Sequence, residues 1–332
     1  MADLAEGLAA FLSKEWDRPV EITGLAASSA GARRANVAFD ADDGRLVHPL
    51  VATIVPTAAI QLNPIGAEAA VRTLARDHGV PVPEVVGWSE DESWVGGPFF
   101  LSERVDGETV PRQVLRLVDQ QGIGDLVAHQ LGQAMGRLHS IDPAVAPPRL
   151  LDLGAGAPAE RALAGLEAAM GTLLEPRPAL SLGLKWLERH LPPAPPTSTI
   201  VHTDIRTGNL IVGADGLRAV LDWEGARRGG DPMEDVAWMT LRMWRFRNDD
   251  REIGGLAGRP PFLEGYGVGG GEWHEERCRW WKVYGTLKWG LGLAAQAAGH
   301  LDGSFRSIIM AASGRRVPEM EWDLLMLIKP GR

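Results

Sequence analysis

Four polar residues near the middle of the chain have the types and the spacing that phosphoryl transfer requires. His202, Asp204 and Asn209 lie in the stretch VHTDIRTGNLIV, and Asp222 follows thirteen residues after Asn209. Transfer of a phosphoryl group from a nucleotide needs a carboxylate that orients the attacking hydroxyl and accepts its proton, and oxygen ligands that hold magnesium on the phosphates. We therefore expect Asp204 to be the catalytic base. We expect Asn209 and Asp222 to bind Mg2+, with phosphates and water completing the coordination.

Each of these residues taken alone is more often a turn or capping residue than a catalyst, because Asp and Asn are common in turns. Their order favours catalysis, since H-x-D-x-x-x-x-N followed by a hairpin and a further Asp is the arrangement found in kinases. In that arrangement His202 orients the catalytic loop through hydrogen bonds and carries no proton. Asn209 belongs to the catalytic loop as well as to the metal site.

The elements that must position these residues fall into two lobes. From residue 20 to about 105 the runs VEITGL, NVAFDA, PLVATIV and PFFLSERV have the length of strands, and one helical segment begins near Ile65. From about residue 125 apolar residues recur at helical spacing, and the runs NLIV and RAVLDW flank the turn GADG, which predicts a tight hairpin. We predict an N-terminal nucleotide-binding lobe over residues 1–104. A helical C-terminal lobe with the catalytic loop and the acceptor site follows over residues 105–332.

The composition restricts the class of partner. The chain has 332 residues and a net charge of -9, which disfavours nucleic acid because that binding depends on Lys and Arg at the phosphates. No apolar run is long enough to span a bilayer, and the single cysteine, Cys278, excludes an internal disulfide and a multi-cysteine zinc site. The acidic start MADLAEGLAAFLSKEW is typical of an amphipathic helix and not of a signal peptide. We expect a cytoplasmic protein that binds a small molecule, without a nucleic-acid or membrane partner, and the oligomeric state is left open.

The catalytic segment closely resembles that of the aminoglycoside phosphotransferase and choline kinase-like family, in VHTDIRTGNLIV and in AVLDWEGARRGGDPMEDVAWM. The resemblance covers nearly the whole chain: SSAGARRANVAFDA is similar to the nucleotide loop, IGAEAAVRTLARDHGVPVPEV to the helix of the first lobe, and GGPFFLSERVDGETVPR to the hinge. It implies an α+β, two-lobed protein-kinase-like fold with a small antiparallel-sheet N-lobe that carries one helix, and a larger, mainly helical C-lobe.

The same resemblance implies an ATP-dependent phosphotransferase that moves the γ-phosphate to a hydroxyl of a small molecule. An aminoglycoside, a hydroxyacyl thioester and another hydroxylated metabolite all stay open as acceptors. The implied nucleotide-binding residues are Ser29, Gly31, Arg33 and Arg34 in the nucleotide loop, Thr53 in a strand, Glu68 in the helix, and the backbone of Glu103 and Val105 at the adenine.

Position 53 departs from the family pattern. The family has a basic residue in this strand, which contacts the phosphates and pairs with the helix glutamate, whereas this chain has Thr53 and no Lys or Arg from residue 46 to residue 71. We therefore expect Glu68 to lack its usual partner, and Arg33 or Arg34 to approach the phosphates instead. Loss of such a cation lowers transition-state stabilisation, so the alternative function is a catalytically attenuated kinase-like binding or regulatory protein.

Some further residues in the second half of the chain are interpreted as structural, and others have two possible interpretations. Thr203 stands where the family usually has glycine, which either selects the acceptor or marks a relaxed site. Asp231 before Pro232 is a natural helix N-cap, and Asp235 is interpreted as structural. Seven of the twelve tryptophans follow residue 236 and either fill a helical core or line the acceptor pocket.

Overall fold

The computed structural model describes residues 2–30, 34–56, 61–154, 156–304 and 306–329, and for residue 2 and residues 28–30 it describes the backbone alone. Part of the predicted nucleotide loop is therefore not described. Gly31 and Arg33 lie outside the described residues, and so does the side chain of Ser29.

The chain folds into two compact units. The first comprises Met1–Ile123, Ala144–Leu151 and Gly208–Arg227, and the second comprises Gly124–Pro143, Asp152–Thr207 and Arg228–Arg332. Each unit draws on three segments of the chain, and the lobe boundary after residue 104 stays a prediction.

Helices and strands follow one another along the chain in a mixed order. The earlier elements are α1 (Ala2–Glu15), β1 (Glu21–Ala30), β2 (Ala35–Asp42), β3 (Val47–Ile54), α2 (Ile65–Asp77), β4 (Val85–Ser89), β5 (Phe99–Glu103) and α3 (Pro111–Gln121). The later elements are α4 (Gly124–His139), β6 (Leu151–Asp152), α5 (Pro158–Met170), α6 (Pro178–Arg189), β7 (Thr199–Val201), β8 (Leu210–Gly213), β9 (Gly216–Val220), β10 (Arg227–Gly230), α7 (Pro232–Met239), α8 (Arg259–Val268), α9 (Glu275–Leu301), α10 (Ile308–Ser313) and α11 (Val317–Ile328). Short 3-10 helices lie at Pro143–Val145, Thr207–Asn209, Arg242–Trp244 and Gly314–Arg316.

The first unit is built on an antiparallel sheet of five strands in the order β1-β2-β3-β5-β4. Successive side chains of a strand point to opposite faces, and both faces of this sheet are covered. Phe39 and Phe99 pack with Leu8 of α1 on one face, and Phe100 packs with Ile65 of α2 on the other. The predicted small antiparallel sheet with its helix is confirmed.

The predicted hairpin is also present in the first unit. Strands β8 and β9 pair antiparallel, with Leu210 opposite Val220 and Gly213 opposite Gly216 where the turn closes. Short strands β6, β10 and β7 form a further sheet in that order.

The second unit is mainly helical, as predicted. Helix α9, with 27 residues, packs against α7, α10 and α11, and α4 packs against α8. The last two approach closely because glycines lie in their contact: a Cβ on Gly132 would overlap the carbonyl oxygen of Phe262, and one on Gly265 would overlap that of His129. Within the described ranges, no helix has both the length and the apolar character needed to cross a membrane.

Asn63 ties three backbone segments of the first unit together. Its side chain is fully buried. Nδ2 donates to the carbonyl oxygens of Glu224 at 3.0 Å and Ala226 at 2.7 Å, and Oδ1 accepts from the N–H of Leu151 at 2.7 Å. These bonds fix the chain directly after Asp222.

We predict that Asn63→Ala lowers the free energy of unfolding by about 2–3 kcal/mol, because it removes three hydrogen bonds between a buried side chain and the backbone. Urea unfolding measures the change. Asn248→Ala, at a partly exposed asparagine of the second unit, is the control and should stay within about 0.5 kcal/mol of the parent. Equal stabilities of the two variants would contradict the role given to Asn63.

Candidate active site

A buried carboxylate fixes the backbone before the predicted base. Asp235, in α7 of the second unit, is fully buried. It accepts hydrogen bonds from the N–H groups of His202 at 2.7 Å and Thr203 at 2.6 Å. Its Oδ2 also lies 3.1 Å from Nε2 of His139, the last residue of α4. Asp235 thus joins α4, α7 and the catalytic loop at one point.

The ionisation of Asp235 supports this junction. Burial acts to raise the pKa of Asp235, but the hydrogen bond and charge of His139, with those of His202, outweigh burial and leave the pKa below its usual value. A lowered pKa means that the stabilising contribution is present at neutral pH and is lost as the pH falls through that pKa. His139 holds this acid, and its Nδ1 lies 2.8 Å from the Tyr266 hydroxyl.

Asp204 combines a fixed position with partial exposure. Its Oδ1 accepts a hydrogen bond from Nε1 of Trp238 at 2.8 Å, and Nε of Arg206 lies 3.2 Å from each carboxylate oxygen. The N–H of Asp204 donates to Nδ1 of His202 at 3.2 Å, so this ring nitrogen is an acceptor. A third of the Asp204 side chain, 33%, stays exposed, which leaves the carboxylate reachable by a hydroxyl.

The backbone between the histidine and the aspartate is strained. Thr203 has a φ of +76°, in the left-handed region that a β-branched residue rarely adopts. Glycine reaches this conformation without a steric penalty, which explains why a glycine at this place suits the loop. The hydrogen bond from the Thr203 N–H to Asp235 keeps the conformation.

The two predicted metal ligands lie at the open end of the hairpin in the first unit. Asn209 directly precedes β8 and is 5% exposed, and Asp222 follows β9 by two residues. The hairpin register continues past the strands, because the N–H of Leu221 donates to the carbonyl of Asn209 at 2.8 Å. Asp222 therefore stands diagonally across from Asn209, with a φ of +66° that turns the chain away from the strand.

This pair suits a magnesium ion that is shared with phosphates. An amide oxygen and a carboxylate are hard oxygen donors, and Mg2+ takes few protein ligands when phosphates and waters complete its octahedron. Among the described residues, no group of three or more His, Cys, Asp or Glu could hold a metal ion by itself. The two donors would fit a magnesium ion that a nucleotide carries.

Glu68 lacks the strand cation, as expected, and pairs with Arg34 instead. Nη1 of Arg34 lies 3.0 Å and 2.8 Å from the two carboxylate oxygens of Glu68, which is 1% exposed. Nε of the same arginine lies 3.0 Å from the carboxylate of Glu224, two residues after Asp222. The cation comes from the chain just before β2 and not from β3, so a search along the strand could not find it.

Thr53 occupies its strand position as a small polar residue. Its hydroxyl donates to Oδ1 of Asn36 at 2.8 Å, and it lies opposite Asn36 and Phe100 in the neighbouring strands. Glu103 ends β5, its N–H donates to the carbonyl of Glu84 at 2.9 Å, and Val105 follows two residues later. The adenine role of Glu103 and Val105 stays a prediction.

Sequence reasoning missed one residue near these groups and the contacts of two others. Arg72 is buried in α2, one turn after Glu68, and an arginine on the apolar face of a predicted helix is the signal that could have revealed it. Asp235 was interpreted as structural, but its hydrogen bonds to the loop were not predicted. Trp238 was one of the seven late tryptophans, and nothing in the sequence indicated its bond to Asp204, 34 residues away.

We predict that Thr203→Gly stabilises the protein by roughly 0.5–1 kcal/mol. Relief of a left-handed residue, worth about 1–2 kcal/mol, exceeds the entropy cost of a glycine. Thermal or urea unfolding measures the change, and Thr73→Gly inside α2 is the control, with a destabilisation expected. A Thr203→Gly protein that is less stable than the parent would contradict the strain.

The chain matches a known protein family and shares part of its sequence with known proteins. The model of the phosphotransferase enzyme family matches residues 25–281. Acyl-CoA dehydrogenase family member 10 of Mus musculus is 30% identical over 192 residues, which cover 57% of this chain and 17% of the mouse protein. The chain thus corresponds to less than a fifth of that relative.

Solved structures share the fold over almost the whole chain. A Ralstonia eutropha protein, provisionally described as an aminoglycoside phosphotransferase, superposes with a TM-score of 0.72 at 20% identity and 97% coverage of both chains. An aminoglycoside phosphotransferase mutant, solved with AMP-PNP and hygromycin B, has a TM-score of 0.61 at 18% identity, with 96% of this chain and 98% of that chain covered. The predicted kinase-like α+β fold is confirmed. Because the family model spans most of the chain, this protein belongs to the phosphotransferase enzyme family.

Proposed function

We propose that this chain is an ATP-dependent phosphotransferase that transfers the γ-phosphate to a hydroxyl of a small molecule. The observation that carries the proposal is the setting of Asp204, whose loop is fixed by a buried carboxylate while its own carboxylate is one-third exposed. A general base must be held in one geometry and must still be reachable by the group that it deprotonates. Asp204 meets both requirements.

Each remaining residue has a part in this proposal. His202 keeps Asp204 oriented, and Asn209 and Asp222 hold Mg2+, which when bound neutralises charge on the phosphates. ATP is proposed as the donor because a relative in fold was solved with AMP-PNP. The nucleotide-binding residues proposed from sequence are Ser29, Gly31, Arg33 and Arg34 in the nucleotide loop, Thr53 in the strand, Glu68 in the helix, and Glu103 and Val105 at the adenine. The cytoplasmic location expected from the sequence is kept with this proposal.

The surroundings of Asp204 in the second unit favour an acceptor that is not a polycation. Arg206 contacts Asp204 and lies over the ring of Trp244, with Cζ 5.2 Å from the ring centroid. Nζ of Lys288 lies 5.4 Å from the ring centroid of Trp238, which hydrogen-bonds Asp204. A positively charged aminoglycoside would meet cations here, whereas an acceptor with an apolar part and neutral or negative charge would meet aromatic rings and opposite charge.

The acidic stretch NDDREI, at residues 248–253, gives little support to an aminoglycoside acceptor. Asp249 pairs with Arg242 at 3.1 Å, and Glu252 pairs with Arg259 at 2.8 Å and also with Lys282. These carboxylates already have basic partners within the second unit. A cationic acceptor would have to displace them.

Tryptophans of the second unit form two groups, of which one packs in the helical core and the other contacts Asp204. Trp280 and Trp281 are 1% exposed and pack in the helical core. Trp238, Trp244 and Trp289 form a cluster with ring centroids 5.2–6.0 Å apart beside Asp204, and we propose that this cluster bounds the acceptor.

The alternative of an attenuated binding protein rests mainly on Thr53, with Thr203 as the second departure from the family pattern. The pairing of Glu68 with Arg34 weakens it, because the helix acid keeps a cationic partner in a family member that lacks the strand cation. Turnover with an acceptor would exclude this alternative.

We predict that Asp204→Asn and Asp222→Asn fail in different steps. Asp204→Asn should lower the turnover number by about 10²–10⁴-fold and leave Mg2+-ATP affinity nearly unchanged, because it removes the base only. Asp222→Asn should weaken Mg2+-dependent ATP binding about tenfold or more, because it removes a metal ligand. Calorimetric titration and ADP release measure the two effects.

Asp215→Asn is the matched control, because Asp215 is an exposed acid in the turn of the same hairpin. It should resemble the parent in both assays. Equal loss of ATP affinity in Asp204→Asn and Asp222→Asn would refute the division of roles.

A further inference from the structure

Arg72 is a buried cation whose guanidinium is incompletely satisfied. It is 4% exposed, and among the described residues its Nε finds no hydrogen-bond partner. Its guanidinium carbon lies 4.5 Å from the ring centroid of Phe100. A cation–π contact offsets only part of the cost of removing a guanidinium from water, so this charge has unused capacity to bind an anion.

The sheet geometry brings Arg72 to the face that Thr53 occupies. Residues directly opposite one another in neighbouring strands point to the same face, and Thr53 lies opposite Phe100. Phe100 packs with Ile65 of α2, and Arg72 of the same helix covers its ring. The guanidinium from α2 therefore lies on the face of the sheet to which a basic side chain at position 53 would point.

The nearby carboxylates neutralise the charge of Arg72 only in part. Glu68 has two contacts from Nη1 of Arg34. Arg72 interacts through its charge with Glu68 and, less strongly, with Asp222, and under the proposed function the Asp222 carboxylate holds magnesium. Burial lowers the pKa of Arg72 to about 10, so the guanidinium is charged at neutral pH. A polyanion that carries the magnesium would be the missing counter-ion.

We propose that Arg72 is the cation that binds the phosphate groups of the nucleotide, while Arg34 alone supplies the ion pair to Glu68. The strand cation of the family has two roles, phosphate binding and pairing with the helix glutamate, and here two arginines outside the strand share them. Position 53 therefore does not need a basic side chain. This inference rests on the proposed function for the identity of the nucleotide, but the phosphate site itself can be tested with phosphates alone.

The test compares ligands that differ in phosphate content. Arg72→Met removes the charge and keeps an apolar stem against Phe100, Arg72→Lys keeps the charge, and Arg76→Met is the control at an exposed arginine one turn later in α2. Dissociation constants for adenosine, ADP, ATP and inorganic tripolyphosphate are measured by calorimetry with Mg2+, and folding is checked by circular dichroism.

Arg72→Met should weaken ADP, ATP and tripolyphosphate by about tenfold to a hundredfold, because it removes charge-assisted hydrogen bonds, and leave adenosine within about twofold. Arg72→Lys should lie between this variant and the parent, and Arg76→Met should match the parent. Adding Thr53→Lys to Arg72→Met should restore part of the phosphate affinity, since both positions serve one face. A purely structural role for Arg72 would not give this rescue.

Unchanged phosphate affinity in Arg72→Met, or an equal loss for adenosine and ATP without rescue by Thr53→Lys, would overturn the inference. If Arg72→Met does not fold, parent-like phosphate affinity of a folded Arg72→Gln protein overturns it, and a selective loss of phosphate affinity supports it. A parent protein that binds neither nucleotide nor tripolyphosphate would overturn it as well. Phosphate binding that depends on Arg72, without transfer to any acceptor, would count against the proposed function and leave this inference standing.

Discussion

A carboxylate that is removed from water must be paired, and this constraint organises both units of the chain. In the first unit Glu68 is 1% exposed and is held by Arg34. In the second, Asp235 is fully buried and is held by His139 and two backbone N–H groups. The first acid joins α2 to the chain before β2, and the second joins α7 to the catalytic loop. In each unit the support is thus a buried carboxylate held by ion pairs and hydrogen bonds.

The acids that we propose for catalysis and metal binding, Asp204 and Asp222, are more exposed than the buried acids Glu68 and Asp235. Asp204 keeps 33% of its side chain exposed, and Asp222 is only partly buried. Thr203 and Asp222 both have left-handed backbone conformations, which persist where the surrounding structure over-determines them. At Thr203 that structure is the Asp235 carboxylate. A rigid, buried frame that presents partly exposed acids is the arrangement that general-base catalysis requires.

Local features of the fold and the site could be predicted from the sequence. The spacing from Asn209 to Asp222 spans one hairpin with its turn, and the side chain of Asp231 caps α7 by accepting the N–H of Met233 at 2.9 Å. The change of apolar periodicity near residue 125 predicted a sheet-containing first part and a mainly helical second part, and the family resemblance implied the α+β kinase-like fold.

Contacts between distant segments could not be predicted in the same way. The partner of Glu68 lies 34 residues earlier in the chain, and its identity depends on how the chain before β2 returns over α2. Sequence reasoning named Arg33 or Arg34 as the substitute cation, and the stretch without Lys or Arg that it considered ended at residue 71, one position before Arg72. The sequence pattern assigns the cation to one position, whereas the three-dimensional structure offers two arginines on other elements.

The central claim is that phosphoryl transfer to a small-molecule hydroxyl takes place at Asp204. The most direct measurement is 31P NMR of the parent protein with ATP, Mg2+ and a panel of hydroxylated compounds of negative, neutral and positive charge. We expect a phosphomonoester to form from a neutral or anionic acceptor in amounts equal to the ADP released, and to be lost in Asp204→Asn. ADP release without a phosphomonoester from any acceptor, or equal phosphomonoester formation in Asp204→Asn, would contradict the claim.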